Sequence, residues 1–380
     1  MAIYLDHAAT TPIHLEVREA MLPYLEDRFG NPSSMHRFGR EIRNAIDQAR
    51  DQVAGGLAAD PGNVIFTSGG TEADNLALVG AAFARREVGR NHIITSAVEH
   101  HAVLDTCAYL KQLGFKITIL PVDETGCVDP AYLRESIDEK TAVVSVMMGN
   151  NEVGTLQPIV ELGTISREFG AWFHTDAVQA YGVESIDVQS LPVDLVTISS
   201  HKINGPKGVG ALWLAQEVNL WPQMHGGQQE RRRRAGTENV PGIVGFGKAA
   251  QLATRERPLH RDEAIKCREA MIAEWRRAGI DFQINGHPTR HLPHILNVSF
   301  PGTETETMLM NLDLEGIACA SGSACTSGTL EISHVLQAMN LSDPITQSAI
   351  RFSFGLGNTP EQVASAARTV VKVVQRLTAS

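Results

Sequence analysis

Three short stretches hold residue types that could do chemistry together. Thr67-Ser68-Gly69-Gly70-Thr71-Glu72 closes an apolar run with two glycines and opens a helical pattern. Free N–H groups at such a helix start, with nearby hydroxyls, would cradle an anion such as phosphate. An ordinary helix cap is the competing reading. Asp176, in His174-Thr175-Asp176-Ala177-Val178-Gln179, follows a second apolar run and could face a protonated ring nitrogen or cap a helix. Lys202, in Ser199-Ser200-His201-Lys202, follows a third. Burial lowers an amine's pKa, and a neutral amine can form a Schiff base; an exposed loop lysine is the alternative. A phosphate cradle, an acidic partner for a pyridinium nitrogen and an aldehyde-trapping lysine are the three needs of pyridoxal phosphate. They occur here in one chain, each just past a strand-like run, a pattern more specific than its parts.

A fourth stretch differs in kind. Ser321-Gly322-Ser323-Ala324-Cys325-Thr326-Ser327-Gly328 surrounds a cysteine with small and polar residues, where a core cysteine would have branched apolar neighbours. Cys325 therefore reads as a thiol on an exposed loop, available for chemistry. Cys319, six residues earlier in an apolar run, reads as structural. Arg351 is a charge inside the apolar run 349–353 and needs an anion, either a substrate carboxylate or an internal Asp or Glu. His100-His101 could stack on an aromatic cofactor or simply begin a helix. His287, His291 and His294 have a metal-like spacing that Pro288 and Pro293 disrupt. Arg231–Arg234 reads as a solvated or interface face.

The elements that must position these groups follow from periodicity. Strand-like runs at 64–67, 92–96, 116–121, 142–148, 171–175, 195–199 and 208–214 alternate with amphipathic stretches at 71–84, 102–112, 130–137 and 159–169. Such alternation predicts an α/β layer structure with a mostly parallel sheet. Ligands of such sheets sit beyond the carboxyl ends of strands, where the three stretches lie. A Gly/Gln/Arg-rich loop at 225–236 and a long helical pattern over 240–278 come next. A smaller α+β unit follows, with strands at 294–300, 316–320 and 349–353 and helices at 304–312, 331–339 and from Pro360. The expected division is a large cofactor-binding domain over 16–256, and a small domain formed by 1–15 and 257–380 that carries the cysteine loop.

Composition narrows the function classes. The 380 residues are 43% hydrophobic and 20% charged, with a net charge of −10. A basic stripe for nucleic acid is not expected from that balance. No apolar run approaches the ~18 residues of a membrane span. The N-terminus lacks the basic and apolar regions of a secretory signal, so the expected compartment is the cytoplasm. Five scattered cysteines, at 107, 127, 267, 319 and 325, do not suggest a disulfide framework, and no C-x-x-C pair suggests structural zinc.

Taken along its whole length the chain resembles the cysteine desulfurases of the nitrogen-fixation and housekeeping iron–sulfur-assembly type, within the class-V aminotransferases. The residues that carry the resemblance are Tyr4–Thr11, Gly30-Asn31-Pro32-Ser33-Ser34, Gly70-Thr71-Glu72, Glu99-His100, Asn150-Asn151-Glu152-Val153-Gly154, Asp176, Ser200-His201-Lys202, Arg234–Asn239 and, most specifically, Ser323-Ala324-Cys325-Thr326-Ser327. It implies the fold type I of pyridoxal-phosphate enzymes, with a mostly parallel seven-stranded sheet in the large domain. It implies that Lys202 binds the cofactor covalently, that Gly70, Thr71, Ser199 and His201 hold its phosphate, and that Thr237 reaches the phosphate of the other subunit of a homodimer. Asp176 would pair with the ring nitrogen, Gln179 with the ring hydroxyl, and His100 would stack on the ring and carry protons. Asn151 would contact cofactor and substrate, and Arg351 would grip the substrate carboxylate. Cys325 would take sulfur from L-cysteine as a persulfide, leave L-alanine, and pass the sulfur to an iron–sulfur scaffold or another acceptor. Two departures stand out: His7 replaces the usual Asn, and Gln228 and Arg232 occupy positions where glycines are common. Selenocysteine lyase and aminotransferase are the sister readings. A non-catalytic sulfur or iron–sulfur scaffold is a further one, although it would need neither Lys202 nor Asp176.

Overall fold

The computed structural model describes residues 2–322 and 332–379. Among them the strands are β1 (Ile3–Tyr4), β2 (Val64–Thr67), β3 (His92–Ser96), β4 (Lys116–Leu120), β5 (Thr141–Ser145), β6 (Trp172–Asp176), β7 (Leu195–Ser199), β8 (Gly210–Leu214), β9 (Gln283–Asn285), β10 (Ile295–Ser299), β11 (Ile317–Ala318) and β12 (Ala349–Ser353). Seven of them form one sheet in the order β2-β8-β7-β6-β5-β3-β4. β8 runs antiparallel to both its neighbours, and the other pairings are parallel. The mostly parallel α/β sheet expected from the alternation is therefore present, with the seven strands that the resemblance implies.

Side chains alternate between two apolar layers, as the pleat requires. Ile93 of β3, Leu195 of β7 and Leu212 and Leu214 of β8 face a cluster with Ala73, Leu76 and Ala77 of helix Gly70–Arg86 and Val103 and Leu110 of helix His101–Gln112. Ile94, Val196, Ile198 and Trp213 face the opposite cluster, with Ile42, Ile46 and Val53 of helix Arg37–Gly55 and Ile243 and Phe246 of helix Val240–Ala278. Helices on both faces explain why β3, β5, β7 and β8 are buried throughout. β4, at the sheet edge, is largely uncovered and begins with Lys116.

A second core gathers around Trp275, Phe300 and Phe352. The antiparallel sheet β12-β10-β9 lies in it, and helix Pro360–Thr378 lays Val363, Ala366, Val370, Val373 and Val374 against it at helical spacing. β1 pairs with β11, which ties the N-terminus to this part of the molecule. The 39-residue helix Val240–Ala278 serves both cores, Phe246 in the first and Cys267, Met271 and Trp275 in the second. Its limits coincide with the predicted 240–278. Asn239 caps the Gly242 N–H at one end, and Gly279 takes φ 67° at the other. Pro258 lies inside it, beside the expected division at 256/257.

Two local readings are corrected. The strand expected over 142–148 ends at Ser145; beyond it the Val146 and Met148 N–H groups still bond to His174 O and Asp176 O of β6, while the Met147 N–H turns to the Glu99 carboxylate at 2.9 and 3.1 Å. The arginine run is a solvated face only in part, with Arg231 and Arg232 exposed and Arg233 and Arg234 half-buried. Glu230, just before it, is buried and grips Arg50 through two bonds of 2.7 Å, while also accepting the Phe66 N–H. Arg234 folds back onto Glu72 at 2.7 Å. Glu230, Arg231 and Arg232 all take left-handed backbone, at φ 41°, 56° and 67°. That conformation is costly for residues with a Cβ.

Candidate active site

The carboxyl ends of β2, β5, β6 and β7 open on one cleft of about 470 Å³. Gly70, Thr71, His100, Asn151, Asp176, Gln179, Ser199, His201, Lys202 and Arg351 all line it, so ten expected site residues converge. Two do not. Thr237 is exposed and is not among the cleft residues of its own chain. Cys325 lies outside the described residues.

Each side chain arrives by a local device. Helix Gly70–Arg86 begins directly after β2 and a two-residue turn, which aims its unpaired first-turn N–H groups at the cleft. A Cβ on Gly70 would stand 3.0 Å from Val178 Cγ2, so any larger residue would have to push that methyl aside. Lys202 ends a single 3-10 turn, Ser200–Lys202, that follows β7. His100 caps helix His101–Gln112 by accepting the Ala102 N–H on Nδ1 at 3.1 Å. Its neutral ring then carries the proton on Nε2. His100 thus starts the helix, as one reading had it, and also lines the cleft.

The Lys202 amine is held by the N-terminal segment. Nζ donates to the carbonyl oxygens of Ala8 and Ala9, the latter at 2.9 Å. The Gln179 amide also donates to Ala8 O at 2.9 Å. Thr11 bonds to the His201 carbonyl oxygen through both its N–H and its hydroxyl. Burial lowers the Lys202 pKa from 10.5 to about 8; Arg351 pushes the same way, and Asp176 and Asp6 oppose. Burial likewise holds His201 down to about 4.

The carboxyl groups behave oppositely. Asp176, buried at the end of β6, accepts the Val178 N–H at 2.8 Å, and burial raises its pKa against His100 and Lys202. Asp74, fully buried and not foreseen from the sequence, also lines the cleft. Burial raises it and Asp176 raises it further. Its neighbour His174 offers no cation: burial lowers that ring to about 3, and Ser145 and Thr197 hold its two nitrogens. Arg351 is anchored by the chain itself, through Nη2 to Asp6 at 2.8 Å and Nη1 to the Asn151 carbonyl oxygen at 2.9 Å. The internal-acid reading of Arg351 therefore holds. Its Nε is buried and unpartnered, and the residue still lines the cleft.

These features fit pyridoxal phosphate. Ser199 Oγ is buried without a partner beside the open start of helix Gly70–Arg86. Among the described residues neither of the buried carboxyl groups Asp74 and Asp176 has an ion pair to Lys or Arg, an environment that a protonated pyridine nitrogen would relieve. A lysine amine of lowered pKa lies in the same cleft to capture the aldehyde.

Sequence reasoning missed Asp6 and Asp74. Asp6 lies in the stretch Tyr4–Thr11 and Asp74 two residues past Glu72, but neither spacing announces a cleft. His7 is buried, lowered to about 4 by burial, and lines a second, smaller pocket on which Lys202 and His294 also border. Among the described residues no group of His, Cys, Asp or Glu is arranged to hold a metal ion, and no helix is long and apolar enough to cross a membrane. Cys319 lies against the second core, and burial pushes its thiol up to about 12.

The family model for class-V aminotransferases matches residues 3–365. A Bacillus subtilis protein provisionally named cysteine desulfurase IscS 1 is 53% identical over 379 residues, covering 99% of each chain. Cysteine desulfurase IscS of Dictyoglomus turgidum is 47% identical over 375 residues, 99% of this chain and 95% of its own. A solved structure described as a NifS-like protein superposes with a TM-score of 0.93 at 36% identity, over 99% of this chain and 100% of that one.

Proposed function

The chain belongs to the class-V aminotransferase family, and we propose that it is a pyridoxal-phosphate-dependent cysteine desulfurase, converting L-cysteine to L-alanine and taking the sulfur as a persulfide on Cys325. The observation that carries this reading is the meeting of Lys202, Asp176, the start of helix Gly70–Arg86 and Arg351 in one cleft.

Gly70, Thr71, Ser199 and His201 would hold the cofactor phosphate, Asp176 its ring nitrogen, Gln179 its ring hydroxyl and Lys202 its aldehyde carbon. When bound, the cofactor supplies an electron sink for the substrate α-carbon. Lys202, with its lowered pKa, then serves as the base that takes the α-proton and returns it. Arg351, fixed by Asp6 and Asn151 at the cleft wall, would attract the substrate carboxylate. His100, with Nδ1 committed to its helix, exchanges protons at Nε2 with the substrate thiol and Cys325. The Cys325 thiolate attacks the substrate sulfur: an S–S bond forms, the Cβ–S bond breaks, and its electron pair stays with the carbon skeleton that becomes alanine.

The enzyme works as a homodimer in which Thr237, exposed on its own chain, serves the phosphate of the second active site. The persulfide sulfur goes to an iron–sulfur scaffold or another acceptor protein, in the cytoplasm.

The test is chemical. The purified, cofactor-loaded protein with L-cysteine and a thiol reductant should release alanine and sulfide in equal amounts. Absence of alanine, or amino transfer to an added keto acid with no sulfide, would overturn the reading. Parallel runs with L-selenocysteine separate the lyase alternative by the ratio of kcat/KM values.

A further inference from the structure

Glu152 belongs to the stretch Asn150–Gly154, yet the chemistry above gives it no task. It sits on the cleft loop that follows β5 and is 2% exposed. Its N–H donates to Asn150 Oδ1 at 2.8 Å, and its carbonyl oxygen accepts from Asn297 Nδ2 at 3.2 Å. The carbonyl of its neighbour Asn151 is the one that anchors Arg351. Its backbone is thereby fixed to the cleft.

The carboxylate reaches residues on either side of 323–331. On one side it accepts the Ser333 hydroxyl at 2.5 Å. That hydroxyl also caps helix His334–Ala338, receiving the Val335 and Leu336 N–H groups at 3.1 and 3.2 Å. On the other side lies Gly322, at φ 100°, where a Cβ would stand 2.7 Å from Glu152 Oε2 and 3.2 Å from Cδ. Only a residue with no side chain can lie this close. Two positions further back, Ala320 exchanges backbone bonds with Arg351 at 2.6 and 3.1 Å. One buried carboxylate thus bonds to Ser333 on one side of the segment in which Cys325 stands and packs closely against Gly322 on the other.

We infer that Glu152 is a positioning residue for sulfur transfer, stapling Gly322 and Ser333 to the cleft rim so that the Cys325 segment starts and ends at a set place relative to the substrate. This rests on the reading of Cys325 as sulfur acceptor. The Glu152 carboxylate bonds to Ser333 and not to Lys202, Arg351 or the start of helix Gly70–Arg86, so sulfur transfer depends on it more than substrate capture does. Misplacing reacting atoms by about 1 Å costs on the order of a hundredfold in rate, and loosening two anchors is expected to cost at least tenfold.

The experiment compares cofactor-loaded Glu152→Ala, Glu152→Gln and Ser333→Ala with the unaltered enzyme. Two readouts are taken: the visible spectral change on mixing with L-cysteine, and the rate of persulfide formation on Cys325 measured by alkylation and mass spectrometry. Glu152→Ala and Ser333→Ala should slow persulfide formation at least tenfold and leave the rate and amplitude of the spectral change within about twofold. Glu152→Gln, which keeps the length and an acceptor oxygen, should recover most of the loss. Should Glu152→Ala fail to fold, Ser333→Ala and Gly322→Ala carry the same comparison. Persulfide formation within twofold of the unaltered enzyme, or a spectral change lost by the same factor, overturns the staple. Sulfur transfer that survives Cys325→Ser overturns the reading of Cys325 itself, and the inference with it.

Discussion

The lowered pKa of Lys202 has a kinetic consequence that can be measured without substrate. Only the neutral amine captures an aldehyde. With a pKa of about 8, about a quarter of Lys202 is neutral at pH 7.5, against about 0.1% for an amine at its ordinary 10.5. Between pH 7 and 9 the neutral fraction then rises only about tenfold, where an ordinary lysine would gain about a hundredfold. The assay is stopped-flow capture of pyridoxal phosphate by cofactor-free protein, followed by visible absorbance across that range. Arg351 pushes Lys202 down, so Arg351→Gln should move the inflection to higher pH and slow capture at pH 7.5. Burial is the larger cause, so the inflection should stay below 10.5. The sign on stability follows: between about 8 and 10.5 the unfolded chain binds more protons at this site than the folded one, so the stability to unfolding rises with pH there. A hundredfold gain from pH 7 to 9, or an inflection that Arg351→Gln leaves in place or lowers, would refute the argument.

Three further outcomes are expected. Cys325→Ser should keep the coloured cofactor and lose sulfide release; near-normal release would remove Cys325 from the reaction. Glu230→Ala strands the Arg50 cation, 6% exposed, and leaves the Phe66 N–H unpaired, and should cost about 3–5 kcal/mol in urea unfolding; a loss below about 1 kcal/mol would show that the pair is not what holds the left-handed turn. Gly205→Ala would drive a Cβ into Ser200 Oγ and to 2.9 Å from Ser200 O, displacing the turn that delivers Lys202. Cofactor absorbance per chain should fall more than tenfold with the far-ultraviolet spectrum retained, and full loading would contradict the placement.

What was legible in the amino-acid sequence was everything that depends on neighbours along the chain. The alternation of buried strands and amphipathic helices follows from periods of 2 and 3.6, and the helix Val240–Ala278 is bounded by its own cap residues. A lysine, an acid and a glycine turn, each just past a strand, announce a cofactor cleft because a parallel sheet gathers those ends on one side. The tertiary structure alone decided which groups hold which. Asp6 meets Arg351 across 345 residues, the Ala8 and Ala9 carbonyls meet Lys202 across more than 190, and Glu152 meets Ser333 across 181. Asp74 reads in sequence as an ordinary helix residue and becomes a buried acid behind Asp176 only once the sheet has formed. The physical reason is common to all of them. A pKa or a hydrogen bond depends on distance through space and on lost water, and neither is a property of the chain until it has folded.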